Sequence, residues 1–152
     1  ALAHELQVHP RPFVLCHSDV HAGNVLVDAA GALYLVDWDE PIYAPKERDL
    51  MCPGGAQGFL GYAPEEEEAY FLQGYGPTAV DITALAYYRY ERIVVDLAIF
   101  AEQLLFCTAG GVDRPQWLEW AASNFWPGHT LERARAADPV LALPWAGSDP
   151  PV

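Results

Sequence analysis

One short polar segment, His17-Ser18-Asp19-Val20-His21-Ala22-Gly23-Asn24, has the spacing H-x-D-x-x-x-x-N, and a second aspartate, Asp37, follows shortly after. These residue types suit transfer of a phosphoryl group. That group is heavily charged, so its transfer needs cations fixed between phosphates and a nucleophile held in line, with no covalent chemistry by the protein. Carboxylate and amide oxygens are hard donors that match Mg²⁺, which makes Asp37 the expected main metal ligand and Asn24 its companion at the nucleotide phosphates. Asp19 is then left to orient an acceptor hydroxyl and take its proton.

Other readings use the same residues. His17, Asp19 and His21 alternate in a way that offers three ligands to Zn²⁺, with Asp37 or Asp39 completing a hydrolase site; this leaves Asn24 unexplained. Alternatively, Asp and Asn are common in turns, and the segment is a solvent-exposed loop with a turn-capping aspartate; a further reading is a non-catalytic binding or scaffold module that presents an acidic groove.

The flanking elements must bring Asp19, Asn24 and Asp37 together. Residues 13–16 read as a short buried strand after the breaker His9-Pro10-Arg11-Pro12, which closes a helix-compatible stretch over residues 1–8. Val25-Leu26-Val27 and residues 33–36 flank Asp28-Ala29-Ala30-Gly31, the pattern of a hairpin whose Gly takes a positive φ. Asp37 should emerge where the hairpin ends, its carboxylate near enough to Asn24 to share a cation, with Asp19 offset toward the acceptor. Beyond Pro41 the chain reads as irregular until a helix after Pro64, with Glu65 to Glu68 in its first turn as a solvated, dipole-favoured start and the Gly74-Tyr75-Gly76-Pro77 break as its end. A long core-forming helix is expected over about residues 80–108, stopped by Gly110-Gly111, with apolar residues including Leu85, Tyr88, Ile93, Leu97, Phe100 and Leu104. A Trp-rich helix follows Pro115, another starts near Thr130, and residues 144–152 read as coil.

With 152 residues, 52% hydrophobic and 12% aromatic, the chain can bury a core as about one domain, α+β and mostly helical, which excludes disorder. A net charge of −13, from 21 acidic and 8 basic residues, repels nucleic acid and anionic membranes and attracts cationic ligands. The absence of a long apolar run or a signal pattern leads to the expectation of a cytoplasmic protein. Cys16, Cys52 and Cys107 fit no disulfide framework or CxxC metal site and are expected to be reduced, mostly buried thiols.

The segment 13–24, the ending Val36-Asp37-Trp38-Asp39, and Arg48-Asp49-Leu50 together resemble the aminoglycoside phosphotransferases and choline-kinase-like small-molecule kinases. Trp38-Asp39 in place of Phe-Gly separates this pattern from protein kinases, as does Ser18 where those have arginine. The resemblance continues through Tyr87-Tyr88-Arg89-Tyr90-Glu91-Arg92 and residues 128–138, and looks closest to the spectinomycin-phosphotransferase-like branch. It implies a kinase-like carboxy-terminal lobe over residues 1–152, with the amino-terminal ATP-binding lobe absent, so that the piece alone should neither bind ATP well nor turn over. The implied reaction is ATP- and Mg²⁺-dependent O-phosphorylation of a small, cationic hydroxyl compound, an aminoglycoside or aminocyclitol first, then choline, homoserine or a sugar. By the same resemblance His17 steadies the catalytic loop, Asp49 caps its backbone from the next helix, and the long helix borders the acceptor pocket, where Glu91, Arg92 and Asp96 are candidate substrate contacts.

Overall fold

The computed structural model describes residues 1–56, 62–106 and 114–141. The chain opens with helix α1, Leu2–Val8, and strand β1, Val14–Cys16. A 3₁₀ turn, Ala22–Asn24, leads into β2, Val25–Val27, which pairs antiparallel with β3, Leu33–Leu35, through the turn at Gly31 (φ +83°). These follow the expected hairpin, one residue shorter.

Two expectations need correction. Residues 41–44 are not irregular: β4, Ile42–Ala44, pairs antiparallel with β1 in a second two-stranded sheet, and α2, Glu47–Leu50, follows at once. β-branched and aromatic Ile42 and Tyr43 carry strand propensity, but three residues are too few for periodicity to reveal. Nor is the segment 13–16 buried. Cys16 is fully covered while Phe13 is 60% and Leu15 57% exposed, because the paired strands lie on one another's edges and not beneath a helix.

The remaining helices are α3, Pro64–Tyr75; α4, Ile82–Leu105; α5, Arg114–Ser123; and α6, Thr130–Ala137. Pro64 opens α3 at a position where its missing N–H costs nothing, and Gly76 closes it at φ +91°. Of the glutamates at its start, Glu65 and Glu66 are exposed as expected, Glu65 pairing with Arg133 and Glu66 accepting from Ala63 N–H, while the half-buried Glu67 accepts from Gly54 N–H. Asp81 caps α4 by accepting from Ala84 N–H at 2.9 Å, and Arg11 grips the same carboxylate.

α4 is the spine, packed against α1, α2, α5 and α6. Its buried positions include Leu85, Arg89 and Ile93, and Leu85 joins Leu50, Met51 and Cys52 in the apolar core. The buried Arg89 guanidinium donates to the carbonyls of Met51, Pro53 and Arg133, joining α4 to the turn after α2 and to α6. Burial pushes the Cys16 thiol up to about 11 and the Cys52 thiol up to about 12, so both are protonated at neutral pH. Cys107, Gly110-Gly111 and residues 144–152 lie outside the described residues. No described helix is long and apolar enough to cross a membrane.

Candidate active site

The loop after β1 is held by side chains that satisfy its backbone. His17 N–H donates to Asp49 Oδ2 at 3.1 Å and Ser18 N–H to Asp49 Oδ1 at 2.7 Å, so α2 clamps the loop through one carboxylate. Ser18 sits at φ +72°, a left-handed conformation costly for most residues, and its hydroxyl donates to the Glu40 carbonyl at 2.8 Å. His17 is 2% exposed and spends both ring nitrogens: Nε2 donates to the Val36 carbonyl at 2.8 Å, while Nδ1 accepts from Asp19 N–H at 3.3 Å. Trp38 meets the same ring edge-on at 4.5 Å. A ring fixed this way joins the loop before Asp19 to the segment before Asp37 and has no nitrogen left to act as a base.

Asp19 is engaged on both oxygens. Arg92 Nη1 pairs with Oδ1; Asn24 Nδ2 at 3.3 Å and His21 Nε2 at 3.4 Å approach Oδ2. His21 Nδ1 accepts from Gly23 N–H at 3.0 Å, which leaves the ring proton on Nε2, facing Asp19. A Cβ on Gly23 would come within 2.7 Å of His21 Cε1, so the glycine makes room for this ring.

Asn24 and Asp37 are joined through the backbone. Val36 N–H donates to the Asn24 carbonyl at 2.9 Å, which sets Asp37 one residue beyond a partner of Asn24. The Asn24 amide N–H groups go to Asp19, and its Oδ1 has no partner among the described residues. Asp37 is exposed, at φ +66°, with no hydrogen bond or ion pair among the described residues. Left-handed backbone in a non-glycine residue stores on the order of 1 kcal/mol and aims a side chain away from the strand it ends. An amide oxygen and a carboxylate, both uncommitted, are a donor set that fits Mg²⁺. It does not fit zinc: both His17 nitrogens are taken, and no three His, Cys, Asp or Glu side chains among the described residues gather to hold a metal.

Beside the loop lies a cleft of about 440 Å³ between α4, α5 and α6, lined by His21, Arg92, Asp96, Trp120, Asn124 and His129 among others. Asn124 is held there by Thr130, whose hydroxyl donates to its Oδ1 at 2.7 Å. Arg92 reaches Asp19 with Nη1 and Asp96 with Nε, the latter an ion pair of 2.8 Å off the N–H axis. Burial raises the Asp96 carboxyl; burial also pulls the Arg92 guanidinium down, but Asp96 and Asp19 outweigh it. Of the three candidate substrate residues, Arg92 and Asp96 line the cleft. Glu91 faces elsewhere, gripped by Arg48 and by the Tyr87 hydroxyl. The reading from sequence missed Trp120, Asn124 and His129. The Trp117/Trp120 spacing is the one local hint of them.

A loop aspartate thus meets an asparagine five residues on and is bonded to two residues, His21 and Arg92, that line the cleft, with a second aspartate past a hairpin. A family model described as "Phosphotransferase enzyme family" matches residues 1–88. The chain belongs to that family. Among solved structures, this phosphotransferase lobe is 42% identical to spectinomycin phosphotransferase APH(9)-Ia in complex with ADP and spectinomycin, with TM-score 0.73 over 90% of this chain and 42% of that one. It is 43% identical to the AMP-bound complex of the same enzyme, with TM-score 0.69 over 88% of this chain and 42% of that one. The fold is therefore that of a kinase-like carboxy-terminal lobe, and the chain spans about 42% of the length of these phosphotransferases. No curated protein matches.

Proposed function

We propose that the chain is the catalytic-loop and acceptor-binding lobe of a kinase that moves the γ-phosphoryl group of ATP to a hydroxyl of a small cationic alcohol, first an aminocyclitol of the spectinomycin kind. The observation that carries this reading is Asp19, bonded to two residues, His21 and Arg92, that line the cleft. A hydroxyl bound at that end of the cleft meets a carboxylate whose rotamer is held from both oxygens. As its oxygen bonds to the γ-phosphorus, the bond to the bridging oxygen of the leaving ADP breaks and the hydroxyl proton passes to Asp19. Asn24 and Asp37 are the residues that would hold Mg²⁺, which supplies charge neutralisation at the phosphates. His17, Asp49 and Gly23 keep the loop in shape.

A cationic acceptor is favoured by charge. Arg92, the guanidinium in the cleft lining, is outnumbered by its two carboxylate partners, Asp96 in the lining and Asp19, so the local charge is net negative, and Trp120 adds an aromatic face to the lining. The chain's net charge of −13 works in the same direction. Nucleotide complexes of the similar spectinomycin phosphotransferase support ATP as donor. The test is phosphate transfer from labelled ATP by the full-length protein to a panel containing spectinomycin, an aminoglycoside, choline, homoserine and a neutral sugar. Transfer to the aminocyclitol with the highest kcat/KM is expected. Preference for choline, homoserine or the sugar would replace the acceptor, and no transfer to any member would make the lobe a non-catalytic binding module.

A further inference from the structure

Arg92 and Asp96 are natural candidates for direct contact with an acceptor, since both line the cleft and both are charged. Their geometry assigns them another task. Arg92 stands midway along α4, with its guanidinium between two carboxylates, Asp19 Oδ1 at one nitrogen and Asp96 Oδ1 at another. Asp96, one turn on along the same helix, lies 2.8 Å from Nε as an ion pair off the N–H axis and limits the swing of the guanidinium through charge, while the Nη1 end is left to grip Asp19. An arginine fork is planar, so fixing one corner directs the others. The Asp96 charge is already spent on this contact, at 2.8 Å, and is a poor anchor for an acceptor ammonium.

The loop itself does not hold Asp19 firmly. Asn24 and His21 approach Oδ2 at 3.3 and 3.4 Å, both long for charge-assisted hydrogen bonds. Oδ1 has Arg92 as its one described partner. The rotamer of the catalytic carboxylate is thus set from α4, an element 73 residues away along the chain.

We propose that Arg92 is a positioning residue for Asp19, with Asp96 as the anchor of Arg92, so that Asp96 governs turnover and not acceptor affinity. The inference rests on the phosphotransfer reading above. Misplacing a catalytic group by about 1 Å costs up to about a hundredfold in rate, and the loss should appear in kcat because the substrate is bound elsewhere in the cleft.

The experiment uses the full-length enzyme with its best acceptor and compares Asp19→Asn, Arg92→Gln, Arg92→Lys, Asp96→Asn and the Arg92→Gln/Asp96→Asn double variant, each with a melting curve. Expected are a kcat lowered on the order of thirtyfold in Arg92→Gln and about tenfold in Asp96→Asn, with acceptor KM within about threefold of the parent value. Arg92→Lys should recover part of the loss, since it restores the charge without the fork. The double variant should be no slower than Arg92→Gln alone, since the two residues act in series. A rise in acceptor KM of tenfold or more in Asp96→Asn with kcat retained would overturn the proposal, as would additive losses in the double variant. Should Arg92→Gln not fold, the KM-against-kcat split of Arg92→Lys and Asp96→Asn decides alone. Asp19→Asn separates the two levels: if it keeps turnover, the phosphotransfer assignment falls, whereas if it is inactive while the Arg92 and Asp96 variants are normal, only the positioning role falls.

Discussion

The strand side and the helical side of this lobe are built on different principles. Around β1, β4 and the β2–β3 hairpin, apolar side chains stay open, with Val27 64%, Leu33 71% and Tyr43 69% exposed. The loop that carries Asp19 is held there by directional polar contacts: Asp49 to two backbone N–H groups, His17 to Val36 and Asp19, and Ser18 to Glu40. Across α2 and α4 the same chain packs Leu50, Met51, Cys52 and Leu85 into a continuous apolar cluster. Apolar burial is non-directional, whereas a hydrogen-bonded clamp sets both the distance and the angle at which an atom is held. The loop that holds Asp19 thus relies on polar clamps, and the core around Leu50, Met51, Cys52 and Leu85 relies on area. Substitutions on the strand side should therefore damage activity before folding, and those in the apolar core between α2 and α4 the reverse.

The largest effect should come from Asp37→Ala. In the full-length enzyme at physiological Mg²⁺ it is expected to cost on the order of a thousandfold or more in kcat/KM, because the phosphates lose their main metal ligand. Its melting temperature should stay within about a degree or two, since the carboxylate makes no described contact and alanine leaves a Cβ-bearing residue in the left-handed backbone at little added cost. Raising the acceptor alone should give little recovery. Recovery by acceptor would assign Asp37 to the acceptor pocket and break the comparison at its sharpest point.

Met51→Ala tests the opposite side. Met51 is 1% exposed, and truncating a buried Met costs about 2–5 kcal/mol of folding free energy, read from denaturant unfolding. Whatever fraction remains folded should turn over near the parent rate. A large fall in kcat per folded molecule would mean that core and loop are coupled more tightly than the two-sided description allows.

Asp49→Ala lies on the boundary and should do both. Two backbone donors lose a charged acceptor, which costs about 2–3 kcal/mol, and the loop carrying Asp19 loses its tie to α2. Asp49→Asn, with one carbonyl acceptor in place of two carboxylate oxygens, should fall between the parent and the alanine variant in both stability and kcat.

The smallest effect concerns Asp81, far from the chemistry. Burial tends to raise its carboxyl, but the Arg11 guanidinium and the N-cap bond to Ala84 outweigh it and hold the group below the usual carboxylate range. A depressed folded-state value gives stability that is present above the ordinary carboxylate pKa and lost as pH falls through the lower folded value. Asp81→Ala should therefore cost about 1 kcal/mol at pH 7, and the gap to the parent should narrow below about pH 4. A gap that is constant from pH 7 to pH 3 would remove the charge from this cap.

The order of the site was legible in the residues themselves. H-x-D-x-x-x-x-N, a glycine-turned hairpin and an aspartate directly after it are local patterns, set by backbone preference and turn chemistry within some twenty positions, and Asp49 is paired with the loop by the family resemblance. The helices that follow were readable for the same reason, from Pro64, Pro115, Thr130 and the apolar spacing. What required the fold is every contact made across distance. The β1–β4 sheet joins residues that carry too little pattern to announce a strand, and the open faces of Phe13 and Leu15 look in sequence like any buried run. The sorting of Glu91 to Arg48 and of Arg92 to Asp19 and Asp96 depends on how α4 is rotated against the loop, since neighbouring positions on a helix point about 100° apart and one residue's difference decides which of two charges reaches the cleft. Local chemistry is written in the order of the residues; which charge meets which is set by packing.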